Sequence, residues 1–192
     1  RGIDALIIGV VILFIVHLST LLMGWMIITG GFRRPFFQTV GWRWHPRFKF
    51  HHVLGIVVIM YVVVFLLSFI IPSGQTDFDR MLETSNLVKF SVVALAIVTA
   101  PLVEELVYRG VLYPAIHARG GRVRAVIVVA MMFAVAHYTQ YAGSYLILVA
   151  VTMLSFVITL IRSYTGQLLP CVVTHLVYNG IGAALILSGY GF

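Results

Sequence analysis

Six stretches of this chain are long and apolar enough to cross a lipid bilayer, and they limit its fold more than any other feature. They run over about 4–29, 53–71, 87–113, 125–141, 144–162 and 169–188. A spanning helix needs about 20 mostly apolar residues. Inside lipid every backbone N–H and C=O must be satisfied by protein, and a helix does this within itself. Runs of this length exceed ordinary strands, so the pattern predicts helices. The expected fold is all-α: a polytopic transmembrane helix bundle of about six spans, forming a single transmembrane domain over residues 1–192. Charged residues make up only 10% of the chain, against about 25% in a soluble domain.

The connections carry the polarity. Residues 31–52, GFRRPFFQTVGWRWHPRFKFHH, mix cations with aromatic rings, a composition suited to the membrane–water interface. His45, His51 and His52 fall in this surface segment. Residues 72–86 are polar, and Ser85 or Asn86 is placed to cap the third span. Residues 114–124 read as a short basic turn, a tight turn is expected around Gly143, and Pro170 is placed to start the sixth span.

Alternate connections lie on opposite sides of the bilayer. One side collects Arg33, Arg34, Arg43, Arg47, Lys49, Arg119, Arg122, Arg124 and Arg162, with no Asp or Glu. The other has Arg1, Arg80 and Lys89 against Asp4, Asp77, Asp79 and Glu83. The positive-inside rule puts the first side in the cytoplasm. Cations placed beside apolar spans are explained by lipid head groups and topology, so nucleic acid is not an expected partner. The single cysteine, Cys171, excludes an internal disulfide and any cysteine-rich metal site. The first residue is Arg1 rather than Met, which suggests a fragment or a processed chain. The first apolar run is longer than the h-region of a signal peptide.

Few ionisable residues remain inside the spans: His17, Glu104, Glu105, Arg109, His137 and His175. Each costs free energy at membrane depth, about 2.5–3.5 kcal/mol on insertion scales for Arg, Lys or Asp. Glu105 and Arg109 are four apart and meet on one helix face, a ready ion pair. Glu104 points about 100° away, and its neighbour four residues on is Tyr108, so it needs a partner from another helix or a proton. Pro101 is expected to kink that helix or free a carbonyl. Phe133 and His137 share a face of the fourth span, as do His175 and Asn179 on the sixth. Helical rise places Glu104, His137, His175 and Asn179 about 9–18 Å from the basic end. Separate helices therefore deliver them to similar depths. A carboxylate beside an imidazole can move a proton between water and a leaving amine. A second imidazole with an amide can serve a developing oxyanion. The same Glu104, His137 and His175 could instead hold Zn²⁺ with one position open. His17 is expected to make an interhelical hydrogen bond.

The Glu-Glu-x-x-x-Arg of EELVYR, the Phe-x-x-x-His of FAVAH and the His-x-x-x-Asn of HLVYN occur in that order on separate predicted spans. Together, within 101–180, they resemble the three signature motifs of the CAAX protease and bacteriocin-processing (CPBP, or Abi) family, which includes the type II CAAX prenyl endopeptidases. The resemblance implies an intramembrane endopeptidase of glutamate type, formerly grouped with metalloendopeptidases, with its site toward the cytosol of a bacterial or archaeal cell membrane. It implies that Glu104 and His137 activate water, that His175 and Asn179 stabilise the oxyanion, and that Glu105 and Arg109 support Glu104. No cofactor is expected, Zn²⁺ being the alternative. The expected partners are membrane lipids and a peptide or protein substrate, lipid-anchored ones included. Full-length CAAX endopeptidases have eight spans, so six imply a compact member or further helices.

Other protease classes fit poorly. His-Glu-x-x-His and Gly-x-Gly-Asp are absent. Ser144 is predicted at the end away from the basic loops, too far in depth from His175 for a dyad. Two readings outside catalysis use the same residues: a scaffold or immunity protein, and an ion-conducting transporter. A transporter is expected to show inverted repeats, and the sequence has none.

Overall fold

The computed structural model describes residues 3–189, so Arg1 lies outside the described residues. The chain is an all-α, polytopic membrane protein, with helices and no strands among the described residues. The long helices are α1 (Ile3–Thr29), α3 (Phe50–Leu67), α8 (Tyr145–Thr165) and α9 (Leu169–Leu187), with a compound run between α3 and α8. Two short helices, α2 (Phe36–Val40) and α4 (Asp77–Glu83), lie in the connections that the sequence pattern left as loops. Thr76 caps α4 by accepting from Asp79 N–H while the Asp79 carboxylate accepts from Thr76 N–H. Ser85 caps the next helix as expected, accepting from Val88 N–H.

The third and fourth expected spans are one helical run, Asn86–His137, of 52 residues. It comprises α5 (Asn86–Ala94), a π-helical turn (Leu95–Thr99), α6 (Ala100–Glu105), a second π-helical turn (Leu106–Leu112) and α7 (Tyr113–His137). At 1.5 Å per residue such a run exceeds twice the bilayer core of about 30 Å, and it does not stay straight. Gly121 has φ 73° and ψ 179°, which only glycine adopts readily. Tyr113 packs on Ala125, Val126 and Val129, so the chain doubles back there. The turn expected over 114–124 is therefore mostly helical, with its reversal at one glycine. Pro114 stands in the first turn of α7, where a missing N–H costs little. The fourth expected span stops at His137, not 141, and the second at Leu67, not 71.

Both π-helical turns end two residues before a proline. Ala100 N–H bonds Leu95 O, five residues back, and Pro101 follows. Tyr113 N–H bonds Tyr108 O in the same way, and Pro114 follows. A proline ring clashes with the carbonyl four residues earlier, and widening the turn relieves that clash. Pro101 thus acts through a widened turn.

Polarity is distributed inside out. Ile8, Ile12, Leu22 and Ile59 are more than half exposed, whereas Glu105, Arg109, Ser155 and Thr159 are fully buried. In a bilayer the exposed aliphatic side chains meet acyl tails and the polar groups meet each other. The basic end is closed by backbone contact. Arg162 donates to Val40 O at 2.9 Å and Gly166 O at 2.8 Å, and Leu168 N–H donates to Gly41 O at 2.9 Å. A Cβ on Gly41 would meet Gly166 O at 3.0 Å, and its φ of 73° is strained for other residues. His45 and His52 each accept from a nearby backbone N–H, of Arg47 and Lys49, which fits a surface role for this segment.

Candidate active site

The site begins with Arg109, because a guanidinium inside a bundle must place every donor. Its Nη1 donates to Glu105 Oε1 at 3.0 Å. Its Nη2 donates to Ser155 O and Ser155 Oγ, both at 2.8 Å, and to Thr159 Oγ1 at 3.1 Å. Its Nε donates to Thr159 Oγ1 at 3.2 Å. The guanidinium carbon lies 5.0 Å from the centre of the Phe133 ring, a cation–π distance. The i, i+4 pair read from the sequence is present, and Arg109 also ties the compound run to α8. Small hydroxyl residues on a neighbouring apolar helix are the only sequence signal for that link.

Glu105 does more than neutralise Arg109. Its Oε1 also accepts from His175 Nδ1 at 2.8 Å. That contact fixes the ring of His175, which is almost wholly buried, and directs Nε2 toward Glu104, 3.7 Å from Oε2. His137 reaches the other Glu104 oxygen: Nε2 stands 3.6 Å from Oε1. Its Nδ1 donates to Phe133 O at 2.8 Å, since a carbonyl can only accept. Both imidazoles thus carry a hydrogen on Nδ1 and turn Nε2 to the same carboxylate. Phe133 stacks on His137 with ring centres 4.3 Å apart and faces His175 edge-on at 6.0 Å. The Phe-x-x-x-His spacing therefore supplies a wall for both imidazoles. Glu104 keeps 22% of its side chain exposed, unlike Glu105, and it faces a cavity.

Asn179 sits on the same cavity, and its amide Nδ2 donates to Ala96 O at 2.9 Å. In the π register that carbonyl belongs to the N–H of residue 101, which is a proline. Asn179 takes over the bond that Pro101 cannot make, and one amide hydrogen remains. Asn179→Leu is expected to destabilise the fold by about 1–3 kcal/mol by orphaning the carbonyl. In a Pro101→Ala background the loss is smaller, because an N–H is restored beside Ala96. Thermal unfolding of the four proteins of this cycle in detergent measures the coupling, expected at about 0.5–3 kcal/mol.

His17 makes an interhelical bond, its Nδ1 lying 2.7 Å from Thr99 Oγ1 in the first π-helical turn. Ser144 caps α8, accepting from Ile147 N–H, and lies 3.1 Å from Ser73 Oγ; it belongs to the end where α4 packs on the 138–144 connection.

The cavity has a volume of about 270 Å³ and mainly apolar walls. Glu104, His137 and His175 line it together with Phe78, Asp79, Gln140 and Tyr141, and the Tyr141 ring stacks on His137 with centres 6.3 Å apart. Burial, with the Glu104 and Asp79 charges nearby, pushes the Tyr141 phenol up, so its hydroxyl stays a hydrogen-bond donor. Among the described residues, no group of three or more His, Cys, Asp or Glu is spaced to hold a metal ion. Glu104, His137 and His175 are the residues that would hold a Zn²⁺ ion, were one bound.

A family model described as Type II CAAX prenyl endopeptidase Rce1-like matches residues 86–181, half of the chain, and the matched stretch contains every residue of the Glu–His–Arg cluster. No curated protein and no solved structure matches the chain.

Proposed function

The chain belongs to the Type II CAAX prenyl endopeptidase Rce1-like family, and on that premise we propose that it hydrolyses peptide bonds at the Glu104 cluster with a directly activated water. The observation that carries this reading is the convergence of two imidazole Nε2 atoms on the two oxygens of one partly exposed carboxylate. Ionised Glu104 and both Nε2 lone pairs are acceptors. Three acceptors facing one another call for a molecule that donates, and water does so. Contacts of 3.6–3.7 Å suit a bridging water.

In this reading Glu104 and His137 take the proton as the water oxygen attacks the scissile carbonyl carbon. The oxyanion is received by the second amide hydrogen of Asn179, and by His175 when Glu104 relays that same proton to its Nε2. The proton then passes to the leaving nitrogen as the C–N bond breaks. Glu105 and Arg109 act at one remove: Glu105 holds Nδ1 of His175, and Arg109 pairs with Glu105. The substrate is a membrane-associated peptide segment that fits a mainly apolar cavity.

Comparing membranes from cells with the wild-type protein and with Glu104→Gln tests the reading. An uncut precursor should accumulate only with the variant. Ion flux in liposomes without any cleaved product would replace it with the transporter reading. Metal removal provides a separate check. Activity is expected to survive exhaustive chelation, with no stoichiometric zinc in elemental analysis of the active protein. Loss on chelation and recovery with Zn²⁺ would reassign Glu104, His137 and His175 as ligands.

A further inference from the structure

Asn179 has one amide hydrogen to offer an oxyanion, and that hydrogen is useful only if it points one way. Asn179 borders the cavity, and open space cannot fix a side chain. One tie is its own bond to Ala96 O. A second comes from α3. Tyr61 Oη donates to Tyr178 O at 2.8 Å. That carbonyl belongs to the peptide bond joining Tyr178 to Asn179, so the hydroxyl holds the peptide plane from which Asn179 springs. The Tyr61 and Tyr178 rings stack on each other, with centres 4.9 Å apart and planes 27° apart. Val57 and Met60 of α3 share a buried cluster with Cys171 of α9, and both tyrosines pack against it.

Gly182 lets this contact form. It lies one turn after Tyr178, and a Cβ there would stand 3.0 Å from Tyr61 Oη. An alanine would therefore compete for the space in which the hydroxyl meets Tyr178 O. Glycine inside a helix is otherwise unfavourable, so the missing side chain has a use at this position. Neither Tyr61 nor Gly182 falls within residues 86–181, so the family match does not cover the pair.

We propose that Tyr61 is a positioning residue of the reaction: through Tyr178 O it sets the orientation of Asn179, and with it the amide hydrogen presented to the oxyanion. The proposal rests on the proteolytic reading for the existence of that oxyanion, and on the Tyr61, Tyr178 and Gly182 contacts for the rest. An oxyanion donor has to sit about 2.7–3.1 Å from the place where charge develops. Held at Ala96 O and at Tyr178 O, Asn179 is fixed from two other helices. This gives α3 a part in the chemistry although it carries none of the clustered charges.

The test uses a quenched-fluorescent peptide selected for Glu104-dependent cleavage by the full chain in detergent. Tyr61→Phe keeps the ring and the stack and removes one oxygen. Its kcat per folded protein is expected to fall about tenfold, part of the roughly hundredfold that a 1 Å misplacement costs, with KM unchanged. Gly182→Ala is expected to lower kcat similarly, by displacing the hydroxyl. Helix propensity favours alanine over glycine, so this second variant guards against poor folding of the first. In a Tyr61→Phe background Gly182→Ala should cost nothing further, because no hydroxyl remains to displace. An unchanged kcat in both single variants overturns the proposal. So does a rise in KM alone, which would make Tyr61 a substrate contact, or a loss of activity only in proportion to folded protein. An equal effect of Gly182→Ala in both backgrounds also overturns it. The two readings fail separately: Glu104-dependent cleavage that ignores Tyr61→Phe and Gly182→Ala removes only the positioning role, and cleavage indifferent to Glu104→Gln removes the protease.

Discussion

Glu104→Gln is expected to slow cleavage by about a hundred- to ten-thousand-fold, the range spanned by loss of a positioned general base, while the unfolding temperature in detergent stays near the wild-type value. The substitution changes charge and proton affinity but hardly changes shape. Glu104 makes no contact shorter than 3.6 Å with the two histidines, and it keeps partial exposure to the cavity, so a neutral amide there leaves no stranded charge. A role as interhelical glue gives the opposite pattern: a lower unfolding temperature, and activity that falls only in proportion to folded protein. Initial rates on a defined peptide, normalised to the folded fraction, separate the two.

The largest stability effect is expected one turn further on. Arg109→Leu removes the partner of a carboxylate with no exposure and breaks four contacts to Ser155 and Thr159. Breaking a buried pair on one side costs about 3–5 kcal/mol. Arg109→Lys should rescue little, since an ammonium cannot reach Glu105, Ser155 and Thr159 in the planar fork that the guanidinium fills. Adding Glu105→Gln to Arg109→Leu should restore part of the loss, because the unpaired charge is gone. Thermal unfolding of the single and double variants measures this. Recovery of stability without recovery of cleavage is the expected signature, because Glu105 also orients His175.

Much of this was legible in the residues. Spans declared themselves by length and apolarity, and the Glu105–Arg109 pair by its spacing. The depth argument brought Glu104, His137 and His175 to one level, and they do meet. What the sequence could not carry is mostly what depends on a neighbouring helix. Nothing in the linear pattern says that His175 touches Glu105 through one ring nitrogen and faces Glu104 through the other. The hydroxyls of Ser155 and Thr159 read as neutral small residues of an apolar helix until Arg109 is seen against them. Pro101 marked a disturbed backbone, but the widened turn and the use of Asn179 to mend it require both helices. The 114–124 segment misled because glycines and cations suggest a loop, whereas a single positive φ at Gly121 suffices to reverse a helix.

The His175 ring is held at Nδ1 by Glu105 and turns its other nitrogen to Glu104. With both imidazoles neutral, two carboxylates and one guanidinium leave the Glu104, Glu105, Arg109, His137 and His175 cluster one negative charge from neutrality. In a medium of low dielectric constant, uncompensated charge is the costly state. In the proposed reaction the proton taken from water neutralises the cluster while the same unit of negative charge appears on the adjacent oxyanion, so the charge moves across the site and returns when the amine departs.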